Sequence, residues 1–220
     1  MKLPSFWKTC LLAGVACLAI TETAKAQNVT RYTALPGGLM RIDGTSTIHD
    51  WWMEGKLIPG SMEVDDSFES DPTFKGLKGT PKVEVAIPVR SIKSSNNDMN
   101  ETLKNRMSEV MQEAMKQTEF PKIEYHLTEM LLKSPAPSPG APAEFNTKGD
   151  LTIAGVKKSI IMAVKIQRLE NNRMKITGTT AVKMTDFGVK PPAPQIALGL
   201  IKTGDDVKIT FEWLVQKAAK

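Results

Sequence analysis

Ser46, His49 and Asp50 bring a hydroxyl, an imidazole and a carboxylate into one short segment. These are the side chains of a serine hydrolase, where a base takes the hydroxyl proton and an acid orients the base. The spacing argues against that use. Neighbouring side chains on a strand point to opposite faces, so three near neighbours do not converge. No strand-to-helix serine elbow of the G-x-S-x-G type is present to support it. The second histidine, His126, sits in Ile123-Glu124-Tyr125-His126-Leu127, which alternates like a strand. Zinc takes three or four protein ligands, mainly Cys and His, so two distant histidines fall short. Asp65, Asp66, Glu69 and Asp71 form an acidic stretch with Ser67 and Ser70. It lacks the spacing and the glycine of an EF-hand loop and reads as a solvated loop. The expectation is no catalytic residue, no metal site, no cofactor and no enzymatic activity.

Thiol chemistry depends on where the chain begins its working life. Cys10 and Cys17 are the two cysteines of the 220 residues. Both lie in a segment with Lys2 and Lys8 at its start, an apolar run over 10–20, and Ala24-Lys25-Ala26 at its end. This is the pattern of a secretory signal peptide, residues 1–26, cleaved after Ala26. The run is too short for a spanning helix. A lipoprotein modified at Cys17 fits less well, because Gly14 stands where a branched aliphatic residue is usual. The exported chain, 27–220, then has no thiol and no disulfide, and reads as one domain held by its core. Its working place is the periplasm or the outside of a Gram-negative bacterium, with no transmembrane segment left after cleavage. Lys2, Lys8, Lys25 and Glu22 leave with the signal, so the formal charge falls from +5 to +3. The remaining lysines are scattered and not interleaved with aromatics, so nucleic acid is not an expected partner.

What remains is apolar chemistry. Eleven methionines fall within 27–220, at 40, 53, 62, 99, 107, 111, 115, 130, 162, 174 and 184. Methionine fills irregular apolar space and adapts to varied partners. These side chains fit either an ordinary core or a cavity for a flexible lipid chain.

Strands must position them. Val83, Val85, Ile87 and Val89 alternate with polar residues, and so do Val207, Ile209, Phe211, Trp213 and Val215. Met174, Ile176, Gly178, Thr180, Val182 and Met184 share a face, as do Ile160, Met162, Val164 and Ile166. Period-two alternation predicts strands with one face in a core. Asn171-Asn172 predicts a hairpin between 158–168 and 173–184. Pro36-Gly37-Gly38 predicts a turn from the first strand into the second. Further strands are expected near 49–66 (broken at Pro59-Gly60), 122–133 and 144–153. One stretch differs. Met99, Leu103, Met107, Val110, Met111, Ala114 and Met115 fall at helical steps, predicting an amphipathic helix over 98–118, capped by Asn97 or Asp98 and stopped by Pro121. Ser134–Ala143, with four prolines, reads as a stiff exposed loop. About eight or nine strands with short connections predict an all-β antiparallel sandwich or barrel with one inserted amphipathic helix. An eight-stranded barrel either fills with side chains or holds one small ligand.

Five segments together resemble the YceI-like family of exported lipid-binding proteins. They are Gly149-Asp150-Leu151-Thr152-Ile153-Ala154-Gly155-Val156-Lys157-Lys158, Met184-Thr185-Asp186-Phe187-Gly188-Val189, Gly204-Asp205-Asp206-Val207-Lys208-Ile209, Gly44-Thr45-Ser46-Thr47-Ile48-His49-Asp50-Trp51, and Phe120-Pro121-Lys122-Ile123-Glu124-Tyr125. The resemblance implies a lipocalin-like antiparallel β-barrel of about eight strands. It implies an elongated interior that holds a polyisoprenoid, a quinone or a fatty-acid-like lipid. The face pattern then nominates Val83, Val85, Ile87, Met162, Val164, Met174, Ile176, Phe187, Ile209 and Phe211 as cavity lining. Met107 and Met111 would close one end. The expected partner is an amphiphilic lipid; a homodimer is left open by the sequence. The alternative is an envelope protein-interaction module with a filled barrel and no ligand, presenting Trp51-Trp52 or the proline-rich loop.

Overall fold

The computed structural model describes residues 29–96, 99–192 and 202–219. The signal segment 1–26 and the proposed caps Asn97 and Asp98 lie outside the described residues. In chain order the strands are β1 (Thr30–Ala34), β2 (Leu39–Ser46), β3 (Trp51–Gly55), β4 (Gly60–Val64), β5 (Lys82–Pro88), β6 (Ile92–Ser94), β7 (Lys122–Ser134), β8 (Ala143–Ile153), β9 (Val156–Leu169), β10 (Arg173–Lys183) and β11 (Thr203–Lys217). Among the described residues two α-helices interrupt them, α1 (Asp66–Ser70) and α2 (Glu101–Ala114).

Eight strands close an antiparallel ring in the order β1, β4, β5, β7, β8, β9, β10, β11. The ring closes because β11 pairs back onto β1, with Tyr32 opposite Lys217 and Ala34 opposite Val215. The long strand β11 pairs with β10 along one side and with two strands along the other. Its end pairs with β1, and its earlier part, Val207 to Glu212, pairs with β2. Strands β2, β3 and β6 therefore extend the sheet as a flap beyond the ring. The Pro36-Gly37-Gly38 turn does not form a hairpin: β1 and β2 lie end to end along β11. The expected hairpin at Asn171-Asn172 is present, and both asparagines take left-handed φ, 59° and 55°. Such angles match the twist of paired strands.

Helix α2 starts later and ends earlier than the periodicity predicts. Asn100 caps it, its side chain accepting from the Leu103 N–H at 2.9 Å. The end is a Schellman turn. The Lys116 N–H reaches the Glu113 carbonyl at 2.8 Å, and the Gln117 N–H reaches the Gln112 carbonyl at 3.0 Å. The left-handed position falls on Lys116, φ 54°, so no glycine marks the stop in the sequence. Buried polar groups fasten α2 to the flap. Gln112 Nε2 donates to the Ile92 carbonyl at 2.9 Å, and Ser108 Oγ accepts from the Ser94 N–H at 2.9 Å.

One end of the ring is plugged. Phe68, Phe74 and Phe145 are fully buried and meet edge to face, with centroids 5.1 and 5.7 Å apart. The Arg168 guanidinium lies 4.7 Å from the Phe74 ring and donates to the Phe68 carbonyl. The acidic stretch builds this plug and is not a solvated loop. Asp65 caps α1 by accepting from the Ser67 and Phe68 N–H groups. Asp71 accepts from the Thr73 and Gly76 N–H groups at 2.8 and 2.9 Å. The Thr73 hydroxyl and these amides hold the Asp71 carboxyl down to about 2. The proline-rich loop is mostly exposed, but Ala136 is buried and its N–H pins the plug at the Thr73 carbonyl.

Candidate functional site: an apolar cavity inside the barrel

Inward-facing residues of the ring and flap enclose a cavity rather than a filled core. About 1380 Å³ is free of protein atoms, open mouth included, and about 170 Å³ of it can hold the centre of a water-sized molecule. One water needs about 10–15 Å³ by that measure, so the room suits a chain. Its walls are hydrocarbon and thioether throughout, apart from three hydroxyls, those of Tyr125, Thr147 and Thr180, and two indoles. The Trp51 indole N–H turns to the Thr45 carbonyl and that of Trp213 to the Ile58 carbonyl, both at 3.0 Å. An apolar cavity of this kind offers water no partners, and burying hydrocarbon in it is worth roughly 25 cal/mol per Å².

Glycines keep the lumen open. A Cβ on Gly178 would come within 2.6 Å of the Phe211 ring, its register partner on the next strand. A Cβ on Gly44 would overlap the Trp51 ring, again its register partner. A Cβ on Gly149 would overlap the Tyr125 ring, which leans diagonally across β8. Three large rings thus lie against bare backbone instead of crossing the cavity.

The far end from the plug is shaped by a short helical turn, Thr185–Phe187, with Gly188 left-handed at φ 66°. Asp205 holds this turn, accepting from the Thr185 N–H at 2.9 Å and from its hydroxyl at 2.6 Å. The turn drives Phe187 and Val189 inward, where Met111 of α2 and Met115 at its C-cap meet the cavity.

Ten of the twelve nominated residues line the cavity: Val83, Val85, Ile87, Met111, Met162, Val164, Ile176, Phe187, Ile209 and Phe211. Two stand off its wall. Met107 lies one turn earlier on α2 and remains part-exposed. Met174 is on the inner face of β10, but at its start, one residue after Arg173, and is buried in the core away from the cavity. The lining residues outside the nominated set include Trp51, Trp213, Tyr125 and Leu151; Trp213 shares the alternating face of Ile209 and Phe211. Tyr125 and Leu151 were legible as alternate positions of their own strands. Trp51 was not, because Trp51-Trp52 offers either residue to the inside. Trp51 is buried, so it cannot present an exposed contact surface. Trp52 instead lies under the Arg41 guanidinium, 4.8 Å away.

The polar candidates are occupied locally. The Ser46 hydroxyl donates to the His49 carbonyl at 2.7 Å and accepts the His49 N–H at 3.2 Å. His49 Nδ1 lies 2.8 Å from the Asp50 carbonyl, not its carboxylate. These contacts make a turn and bring no base to a nucleophile. His126 is exposed on the outer face of β7, in register with Glu84 and Asp150. Among the described residues no three of His, Cys, Asp and Glu are grouped to hold a metal ion. Among them also, no helix is long and apolar enough to cross a membrane.

Solved structures share this architecture. A polyisoprenoid binding domain from Saccharophagus degradans, implicated in plant cell wall breakdown, is similar at TM-score 0.61 and 12% identity, over 85% of this chain and 98% of that one. Burkholderia cenocepacia BcnA is similar at TM-score 0.56 and 14% identity, over 80% and 95%. A Campylobacter jejuni YCEI protein is similar at 0.50 and 19%, over 76% and 85%. At these identities the likeness is one of fold. No curated protein matches the chain. The YceI-like domain family matches residues 33–214, nearly all of the described barrel, and the chain belongs to that family.

Proposed function

We propose that this protein is an exported carrier that sequesters a polyisoprenoid or other long-chain amphiphile in its barrel. The observation that carries the reading is the hydrocarbon-lined cavity, kept open where three aromatic rings lie over glycines. Membership of the YceI-like family supports it, as does the fold shared with a domain described as polyisoprenoid binding. Binding, not turnover, is the proposed activity: the tail leaves water, and no side chain needs chemical activation.

Solvent extraction of the purified protein followed by mass spectrometry tests this. The expected result is a long-chain amphiphile at about one per barrel. Protein that is lipid-free from every host and takes up no added prenyl lipid would sink the reading. The proposed export predicts that the protein fractionates with the periplasm or medium and begins at Gln27. A cytoplasmic protein that retains residues 1–26 would refute it. His49→Ala is expected to leave lipid content unchanged.

A further inference from the structure

The Tyr125 hydroxyl is the one polar group of the cavity with no hydrogen-bond partner among the described residues. It is buried, and its ring lies along the wall over Gly149. Beside it, the Thr147 hydroxyl gives its proton to the Met162 carbonyl at 3.1 Å and lies near the Tyr125 hydroxyl without the geometry of a hydrogen bond to it. Thr180 gives its proton to the Ile161 carbonyl, at 3.3 Å. Register places the hydroxyl part-way along the cavity. Tyr125 opposes Val85 and Leu151, and its ring leans toward Gly149, one pair further from the Phe187 end. Hydrocarbon walls continue on both sides, to Met111 at one end and Met62 at the other.

A buried donor without a partner weakens the fold, whereas a phenylalanine there would fill the same space at no such cost. Burial pushes the Tyr125 hydroxyl above its ordinary value, against the pull of the nearby Thr147 hydroxyl and with the Asp150 charge, so it keeps its proton. We propose that Tyr125 is an anchor inside the cavity that donates a hydrogen bond to an oxygen acceptor of the bound amphiphile. The inference rests on the carrier reading and narrows it. The favoured ligand carries a carbonyl or hydroxyl oxygen flanked by apolar groups, not an oxygen only at a solvated head.

The test compares delipidated wild type with Tyr125→Phe. Two probes of equal chain length, octadecan-9-one and octadecane, are delivered from cyclodextrin. Their affinities are read by displacement of anilinonaphthalene sulfonate. The substitution is expected to reduce the ketone-over-alkane preference about fivefold, the loss of one neutral hydrogen bond. The ketone carbonyl stretch is expected at lower frequency in wild type than in the variant. Empty Tyr125→Phe is expected to melt higher than empty wild type, because an unpaired donor has gone. Equal preference and equal stretch in both proteins would overturn the anchor while leaving the carrier intact. Failure of both proteins to bind either probe would overturn the carrier reading and the anchor together.

Discussion

Glu69 ties the plug to the barrel. It accepts from the Tyr32 hydroxyl at 2.6 Å and from Lys217 Nζ at 2.8 Å, with the Arg168 guanidinium 4.0 Å away. Burial raises its carboxyl, but the hydrogen bonds from Lys217 and Tyr32 and the two cations outweigh that. The net is below the ordinary glutamate value of 4.5. A carboxyl depressed on folding contributes stability that is present above its unfolded value and is lost as pH falls through the folded one. Wild type should therefore lose stability to urea as pH drops below about 4.5. Glu69→Gln should be less stable by about 1–3 kcal/mol at neutral pH and lose less over the same acid range. Urea melts of both proteins at stepped pH check this, and parallel pH curves would contradict it. None of this is legible in the local sequence. Asp65, Asp66, Glu69 and Asp71 look like a solvated strip because the partners of Glu69, Tyr32 and Lys217, lie far away along the chain.

At the scale of elements, alternation located most strands, because each has one wet and one dry face. It missed β6, whose three residues are too short to show a period. It also could not tell that β1 and β2 share β11 as a partner, since pairing is a tertiary choice. Rings over glycines lie on the inner face of these strands. Gly178→Ala should displace Phe211 into the lumen, cost about 1–3 kcal/mol and lower lipid content. Calorimetry and extraction check the two effects, and unchanged lipid with unchanged stability would show that the ring has room elsewhere. Helix α2 is held by side chains more than by its own propensity. Gln112→Ala leaves the Ile92 carbonyl without its donor. Amide exchange should rise in α2 and β6, with β8 and β9 unaffected.

For the whole molecule, the sequence carried the barrel and the identity of most wall residues, but not that the wall encloses space. Hollowness depends on where Trp51, Tyr125 and Phe211 lay their rings, and that is settled only when strands meet in register. A hollow, ligand-fillable barrel predicts a mass-action effect. At a ligand concentration a hundred times Kd, stability should rise by about 2.7 kcal/mol. Delipidated protein titrated with a prenyl alcohol should show its melting temperature climbing with concentration. A flat response would indicate that the space does not admit the chain.

The seam between β1 and β11 joins the start of the described chain to its end. No hoop can form until the final strand is made, so closure is the most non-local step in the fold. Such topologies fold slowly. A nascent chain of this design stays an open sheet until β11 has been made. The same delay means that the enclosed cavity exists only after β11 has met β1, so a lipid could be enclosed only by the completed barrel.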